Sequence, residues 1–393
     1  MPTMTQAAFE ALIAAKRNTG NGNFGWIDIP NDTDVILTST ITLHQLVGGG
    51  IQGEGRRTSR LRWEGNRSSP ALILNNCQGV YLRHFGILSA PTCPLLTAVR
   101  VQNGAQDGTN AAFQESSECV LEDIEVQGGE RTGVGFDVHL YDADKDVKND
   151  HHKFIRCHVT GTRHAYFQLE GTNAKAINIT DCTASSSGGV TAFSTNNYGV
   201  CTQAGFKPTA MASDGTVLTM GAAVENKGAS FTWTGGALQG CREAQFYIGG
   251  RNDPIYIGHG YGEKNGRVLY VPTFGTGSSA SCPIFIEAWK YTTNFNTPVD
   301  KKIIVVEDHV ELFLLGCEFV RRADGEQFKI HYEVPPQRVG FFEMHSCAIS
   351  NDGDGVVFTG QVPSNSDYGV VNHGYRCGRM ELLGPGVLRP VQL

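Results

Sequence analysis

Apolar and polar residues alternate along most of this chain in a pattern that carries one regular interruption. Ten segments between residues 80 and 382 follow the order inward, any, inward, any, any, inward, any, inward. One example has Ile284, Ile286, Trp289 and Tyr291 at its inward positions. Alternation is typical of a strand with one buried face. The extra residue in the middle of each segment indicates a tight corner between two short strands.

Each corner is predicted to need one residue with a left-handed backbone, a conformation that glycine and a few polar residues tolerate. The segments start 24 to 54 residues apart, and most spacings lie between 24 and 39. A repeat of this length with a bent two-strand unit is typical of a solenoid. The pattern therefore predicts an all-β fold, a right-handed, single-stranded parallel β-helix. The predicted corner residues are His84, Asp123, Arg156, Asp181, Gly235, His259, Ala288, Gly316, Ser346 and Arg379.

Residues 5–17 form the one segment with a convincing helical pattern. Thr5 is suited to cap its N-terminus, and Phe9, Leu12 and Ile13 fall on one face. We expect this helix to cover the open end of the solenoid. The predicted organisation is an N-terminal helix and cap over 1–45, a β-helix over 46–360, and a last coil with a C-terminal extension over 361–393.

The composition supports a folded β protein and excludes several function classes. Hydrophobic residues make up 40% of the chain, glycine accounts for 48 of 393 residues, and charged residues are only 18%. The net charge of −7 offers no basic surface for nucleic acid, so we expect no nucleic-acid partner. No apolar run is long enough for a transmembrane helix, so we expect no membrane partner.

The eleven cysteines show no CxxC pair, which disfavours a zinc site read from spacing. The N-terminal residues lack the pattern of a signal peptide, so we expect synthesis in a reducing cytoplasm with free, buried thiols. Four of these cysteines occupy the third inward position of their segments, namely Cys157, Cys182, Cys317 and Cys347. Stacked coils would align them in an internal ladder of small side chains.

The stretch from Phe9 to Trp63 resembles the start of the pectate-lyase-like β-helix proteins. A helix is followed by FGWIDIP (24–30), STITL (39–43) and the glycine-rich VGGGIQGEGRRTSRLRW (47–63). Together with the ten later segments, the resemblance covers nearly the whole chain. It is specific for the fold and weak for function, because this fold hosts lyases, hydrolases, epimerases and phage tailspikes.

Among these proteins, the chain looks most like a bacteriophage tailspike or tail-fibre depolymerase. That resemblance implies a homotrimer in the virion tail that binds and hydrolyses a bacterial surface polysaccharide during host attachment. No virion-binding head is evident before the helix, so attachment would use a baseplate or tail adaptor. The alternatives are a non-catalytic glycan-binding or structural tail protein, and a non-phage polysaccharide lyase or epimerase.

Three motifs have a functional and a structural interpretation. Gly48, Gly50 and Gly53 match a dinucleotide fingerprint by spacing, but a strand follows them where that site needs a helix, so we interpret them as a turn. Residues 142–152 suggest a calcium loop but lack its glycine and its last acidic ligand, so we expect a solvated loop and no metal. Gly258-His259-Gly260 resembles a polygalacturonase motif whose partner motifs are absent here. We expect no cofactor.

Outward positions of the segments that start at 255, 284 and 312 place aromatic and acidic side chains in register. Aromatic rings repeated along a solenoid can lie against sugar rings, whereas the competing interpretation buries the same rings between subunits of a trimer. The predicted sugar contacts are Tyr256, Phe285, Phe313, Tyr261, His259 and Trp289. Glycoside cleavage needs two carboxyl groups, one protonated and one ionised. The catalytic candidates are Glu287, Glu318, Glu263 and Asp308, and no motif singles out two of them.

Overall fold

In the computed structural model, the chain forms short parallel strands that follow one another as coils. The structure describes residues 2–18, 22–66, 69–104, 115–128, 132–140, 148–162, 165–170, 174–185, 222–227, 230–239, 244–249, 254–263, 267–273, 282–293, 302–308, 310–321, 329–333, 341–349, 358–361, 370–373 and 388–390. It divides into two compact units, residues 1–221 and 222–393. The predicted boundaries at residues 45 and 360 stay predictions.

The N-terminal helix α1 spans Gln6–Lys16, close to the predicted 5–17. The Thr5 hydroxyl caps it by accepting a hydrogen bond from the Ala8 backbone N–H at 3.3 Å. Phe9 is fully buried, whereas Leu12 is 38% exposed, so the buried face is narrower than the spacing predicts. Among the described residues, no helix has both the length and the apolar character that crossing a bilayer requires.

The first unit contains twenty described strands. They are β1 Thr3–Thr5, β2 Trp26–Ile29, β3 Thr33–Leu37, β4 Ile41–His44, β5 Gly50–Gly53, β6 Ser59–Trp63, β7 Ser69–Asn75, β8 Tyr81–Arg83, β9 Gly86–Ser89, β10 Leu95–Asn103, β11 Ser116–Ser117, β12 Val120–Glu122, β13 Glu125–Gln127, β14 Thr132–Leu140, β15 Asn149–Asp150, β16 Lys153–Ile155, β17 His158–Thr160, β18 Ala165–Glu170, β19 Ile177–Thr180 and β20 Thr183–Ser185.

These strands build three parallel sheets, and a typical coil gives one strand to each sheet. The first sheet has the order β2-β5-β8-β12-β16-β19, the second β1-β3-β6-β9-β13-β17-β20, and the third β4-β7-β10-β14-β18. Strands β11 and β15 pair separately. Each coil returns to lie parallel beside the previous one, and this confirms the predicted parallel β-helix.

The second unit contains eighteen described strands. They are β21 Ala222–Lys227, β22 Phe231–Thr234, β23 Ala237–Gln239, β24 Ala244–Ile248, β25 Ile255–Gly258, β26 Tyr261–Glu263, β27 Arg267–Val271, β28 Cys282–Glu287, β29 Lys290–Thr293, β30 Lys302–Val306, β31 Val310–Leu315, β32 Glu318–Arg321, β33 Lys329–Glu333, β34 Phe341–His345, β35 Ala348–Ile349, β36 Phe358–Gln361, β37 Val370–His373 and β38 Leu388–Pro390.

The second unit repeats the same arrangement of three parallel sheets. Its first sheet runs β22-β25-β28-β31-β34-β37-β38, its second β23-β26-β29-β32-β35, and its third β21-β24-β27-β30-β33-β36. Inward side chains such as Ile257, Ile286 and Leu314 are fully buried, as the alternation predicts. Burial of these apolar side chains is the main contribution to the stability of the coils.

The corners behave as the pattern predicts. All nine predicted corner residues within the described part of the chain have a positive φ, from 48° at Ala288 to 74° at Gly235. The tenth, Arg379, lies outside the described residues. The left-handed residue turns the backbone and takes up the one extra position in the pattern. The alternation therefore resumes on the next strand with the apolar side chains again pointing inward.

The cysteines of the third inward position are buried free thiols. Each thiol donates to a backbone carbonyl of the preceding coil. Cys157 reaches Leu121 O at 3.4 Å, and Cys317 reaches Ile286 O at 3.2 Å. These cysteines therefore occupy small core positions and satisfy carbonyls next to a corner. Cys201, Cys241 and Cys377 lie outside the described residues.

Candidate functional site

The parallel register of the second unit brings the predicted outward residues into columns. Tyr256 of β25 pairs with Phe285 of β28, and Phe285 pairs with Phe313 of β31. All three side chains are partly exposed on the outer face of the first sheet. The predicted alignment of these aromatic residues is therefore confirmed, while their contact with a sugar stays a prediction.

Phe285 and Phe313 form a parallel stack. Their ring centroids are 4.7 Å apart and their planes are inclined by only 9°. This spacing equals the usual distance between neighbouring strands, so both rings stand upright on the sheet and present a flat, apolar surface.

Tyr256 does not continue this stack but lies along the sheet towards Glu287. Its hydroxyl donates a hydrogen bond to Glu287 Oε2. This bond raises the pKa of Tyr256 to about 12, with burial and the carboxylate charge as smaller causes. The phenol therefore stays protonated at neutral pH and holds Glu287 in place as a donor.

A glycine makes room for this arrangement. Gly258 pairs with Glu287 across the strands, and a Cβ at Gly258 would lie 2.8 Å from the Tyr256 ring. Any side chain there would push the phenol away from the carboxylate. Gly258-His259-Gly260 thus has a packing function at its first position.

The remaining residues of that motif form the corner. His259 is exposed and has a φ of 54°, so its backbone turns the chain. A Cβ at Gly260 would lie 2.0 Å from the Trp289 ring, so only glycine fits beside this indole. Trp289 is fully buried and its Nε1 donates to Gln245 Oε1 at 3.0 Å. Trp289 is therefore a core residue, which corrects its prediction as a sugar contact.

Beyond the corner, the second sheet carries the other predicted column. Tyr261 pairs with Lys290 and Lys290 with Glu318, as the sequence predicts. Lys290 Nζ and Glu318 Oε2 form an ion pair at 3.0 Å, with both side chains about half exposed. The Tyr261 hydroxyl donates to Glu263 Oε2 at 2.9 Å.

Asp308 does not share the outer surface with the other carboxylates. It follows β30 of the third sheet and is fully buried. A carboxylate with no exposed surface does not meet a polysaccharide chain from solvent. The structure therefore separates Asp308 from Glu287, Glu318 and Glu263, and this corrects its place among the catalytic candidates.

The next coil adds two residues that the sequence prediction missed. Glu343 of β34 pairs with Phe313, and His345 pairs with Leu315. The His345 Nε2 and Glu343 Oε1 atoms are hydrogen-bonded to each other. Extending the outward column by one segment would have found them, because Glu343 lies between the inward residues Phe342 and Met344.

The outer face of β25, β28, β31 and β34 thus combines an apolar platform with two carboxylates, one next in the aromatic column and one beside Phe285 on its own strand. We call this group the aromatic platform; it consists of Tyr256, Phe285, Phe313, Glu287, Glu343 and His345. Within the described residues, no group of three or more His, Cys, Asp or Glu side chains is placed to hold a metal ion. The loop 142–152 lies mostly outside the described part of the chain.

No protein-family model matches this sequence, and no curated protein sequence matches it either. Solved structures with the same fold are nevertheless found. Gene product 12 of bacteriophage phi29, in its pre-mature form, superposes with a TM-score of 0.56 over 93% of this chain and 44% of that chain, at 13% identity. The tailspike protein gp208 of Dettilon gives a TM-score of 0.54 over 89% of this chain and 61% of that chain, at 11% identity.

This chain therefore spans less than two thirds of the length of these two proteins. At such low identity the likeness shows the fold alone. The protein has the right-handed parallel β-helix fold that is also found in phage tailspikes.

Proposed function

We propose that this chain is the β-helical part of a phage tail protein that binds a bacterial surface polysaccharide and hydrolyses it during host attachment. The observation that carries the proposal is the stacked Phe285–Phe313 pair, with Glu343 next in the same column and Glu287 two residues beyond Phe285 on its strand. The fold shared with a tailspike supports the setting in a virion tail.

Binding is assigned to the two stacked rings. The C–H faces of a pyranose are apolar, and they pack against flat aromatic surfaces while the hydroxyls stay in contact with water. Phe285 and Phe313 are directly paired in neighbouring coils, so the platform runs along the direction in which the coils stack. A polysaccharide laid along this direction would place consecutive sugars over consecutive coils.

Glu287 is proposed as the ionised carboxylate. The Tyr256 hydroxyl donates to Glu287 Oε2, so the carboxylate acts as the acceptor in this contact and is held in one orientation. An ionised carboxylate can act as a general base on water or as a nucleophile.

Glu343 and His345 are proposed as the proton donor. The hydrogen bond places a carboxyl and an imidazole side by side, and either group can act as a general acid towards the leaving oxygen of a glycosidic bond. Glu287 and Glu343 are two strands apart and offset by two residues, so their Cα atoms are separated by about 12 Å. The two carboxylates thus belong to different coils of the same outer face, the face on which a sugar stacked on the two rings would lie.

Glu318 is the matched alternative for the second carboxylate. It belongs to the coil next to Glu287, but it lies on the second sheet and pairs with Lys290, whereas the stacked rings lie on the first sheet. Glu263 and Asp308 are less suited, because Tyr261 already donates to Glu263 and Asp308 is buried.

The test is the release of reducing ends from a panel of purified bacterial capsular polysaccharides and O-antigens. We expect the wild type to shorten one of them, and Glu287→Gln and Glu343→Gln to lower turnover by about 100-fold or more while binding is retained. Glu318→Gln, the matched control, should stay within about twofold of the wild type, since a screened surface ion pair contributes little.

Three outcomes would contradict parts of this proposal. Binding without any shortening of the polymer would identify a non-catalytic glycan-binding protein. Unsaturated products that absorb in the ultraviolet would identify a lyase. A loss of activity in Glu318→Gln equal to that in Glu287→Gln would move the second carboxylate from Glu343 to Glu318.

A further inference from the structure

A second aromatic cluster lies on the first sheet of the first unit, close to the N-terminus. Trp26 of β2 and Tyr81 of β8 point outward from the same column, with Gly50 of β5 between them. Their ring centroids are 6.0 Å apart and the planes are tilted by 44°. Two strand spacings would separate upright rings by about 10 Å, so both rings lean over the glycine.

Only glycine fits at position 50. A Cβ at Gly50 would lie 2.0 Å from the backbone oxygen of Tyr81. The row between the two rings therefore carries no side chain, and the rings form an open wedge on the sheet. Tyr81 is 39% exposed, the largest exposure among the described large hydrophobic and aromatic residues.

A fixed line of polar groups runs beside the wedge. The Arg83 guanidinium lies 4.2 Å from the centroid of the Trp26 ring. Its Nε and Nη2 donate to Gln52 Oε1 at 3.0 and 2.6 Å, and Gln52 Nε2 donates to Asp28 Oδ1 at 2.5 Å. Arginine and aspartate oppose each other in this line, so the cluster carries no net charge.

Trp26 differs from the other three tryptophans of the chain in its hydrogen bonding. Trp63, Trp233 and Trp289 are buried, and each indole N–H donates to a protein acceptor within 3.0 Å. Within the described residues, the Trp26 N–H, the Tyr81 hydroxyl and the second carboxylate oxygen of Asp28 have no such partner. The wedge thus offers apolar ring faces together with three polar groups. The Trp26 N–H is a donor, the Asp28 oxygen is an acceptor, and the Tyr81 hydroxyl can be either.

We propose that this cluster, the Trp26–Tyr81 wedge, is a second sugar-binding site that takes an uncharged pyranose. The C–H face of the sugar packs against Tyr81, and its hydroxyls bond to the indole N–H and to Asp28. An uncharged sugar matches the cluster best, because the positive charge of Arg83 and the negative charge of Asp28 balance and leave no net charge to attract an ionised sugar. The wedge is built from residues 26–83 alone and does not depend on the aromatic platform.

Trp26 itself reports on binding. Iodide quenches exposed indoles and leaves buried ones unaffected, so the quenchable tryptophan fluorescence of the full chain arises from Trp26. The probes are hexasaccharides of glucose, of mannose and of galactose, with oligogalacturonate as the acidic counterpart. We expect at least one neutral hexasaccharide to protect Trp26 from iodide in a saturable way, and oligogalacturonate to give no protection.

Variants separate the wedge from other surfaces. Tyr81→Ala should lower the affinity for the protecting hexasaccharide about tenfold, and Trp26→Phe should remove the tryptophan fluorescence that iodide quenches. Leu12→Ala is the matched control, because Leu12 is equally exposed in the same unit and should leave protection unchanged. Phe285→Ala should also leave it unchanged, which keeps this test distinct from that of the aromatic platform.

The proposal is overturned if no neutral hexasaccharide protects Trp26 at millimolar concentration. It is also overturned if Tyr81→Ala binds as tightly as the wild type. A change in the oligomeric state of ligand-free Tyr81→Ala, measured by light scattering, would identify the wedge as a subunit contact instead.

Discussion

A buried histidine should make the first unit sensitive to mild acid. His152 is fully buried at an inward position. Its Nδ1 accepts the Cys119 backbone N–H at 3.2 Å, and its Nε2 bonds to Asn149 Oδ1 at 2.8 Å. This pattern fixes the neutral ring, because a proton on Nδ1 would face the Cys119 N–H donor.

The magnitude follows from the pKa of His152. Burial lowers it from 6.5 to about 3, and the charge of the neighbouring His151 contributes less. The unfolded chain therefore takes up a proton below pH 6.5 that the folded chain takes up only near pH 3. Stability contributed by the neutral ring is complete above pH 6.5 and is lost as the pH falls. Between pH 7 and pH 5 the loss amounts to about 2 kcal/mol.

The assay compares urea unfolding at pH 7 and pH 5 for three proteins. From pH 7 to pH 5, the free energy of unfolding should fall by about 2 kcal/mol more in the wild type than in His152→Gln, because glutamine does not titrate. His151→Gln is the matched control, since His151 is an adjacent exposed residue whose side chain is 62% accessible, and its pH dependence should follow that of the wild type. An equal pH dependence in the wild type and in His152→Gln would refute the argument. So would an NMR titration in which every histidine changes protonation near pH 6.5.

Three further predictions concern the aromatic platform, the thiols and the assembly. Phe285→Ala should weaken glycan binding by about 1 kcal/mol with an unchanged unfolding midpoint, as measured by calorimetry; a lower midpoint of a trimer would place Phe285 in a subunit contact instead. Burial raises the pKa of Cys77 to about 12, so iodoacetamide followed by mass spectrometry should leave Cys77 unmodified in the folded protein, and rapid labelling would contradict its burial. Light scattering should give three times 42.5 kDa, and a mass of one chain would reject the predicted homotrimer.

The sequence alone determined the path of the chain. A period of two with one extra residue specifies which side chains point inward and where the backbone must turn, because burial acts on every coil in the same way. The positive φ at His84, Asp123 and Ser346 follows from that rule. So does the pairing of Phe285 with Phe313, since equivalent positions of successive coils must align.

Only the tertiary structure decided which outward side chains meet. Tyr256 reaches Glu287 because Gly258, the cross-strand partner of Glu287, carries no side chain. The rings of Trp26 and Tyr81 approach each other over Gly50, which carries none either. The repeat pattern specifies only whether a position points inward or outward. It does not show that a glycine at an outward position leaves space for a neighbouring side chain. The position of Glu343 beside Phe313, in contrast, follows from the repeat once the outward column is extended by one segment.

The tertiary structure likewise decided which candidates lie inside. The pattern assigns Trp289 to an inward position, whereas its aromatic character suggested a sugar contact. Trp289 is completely buried and donates to Gln245, so it is a core residue. Asp308 follows a strand of the third sheet, where no repeat position defines the direction of its side chain. Its burial depends on how the third sheet packs, and local sequence does not encode that packing.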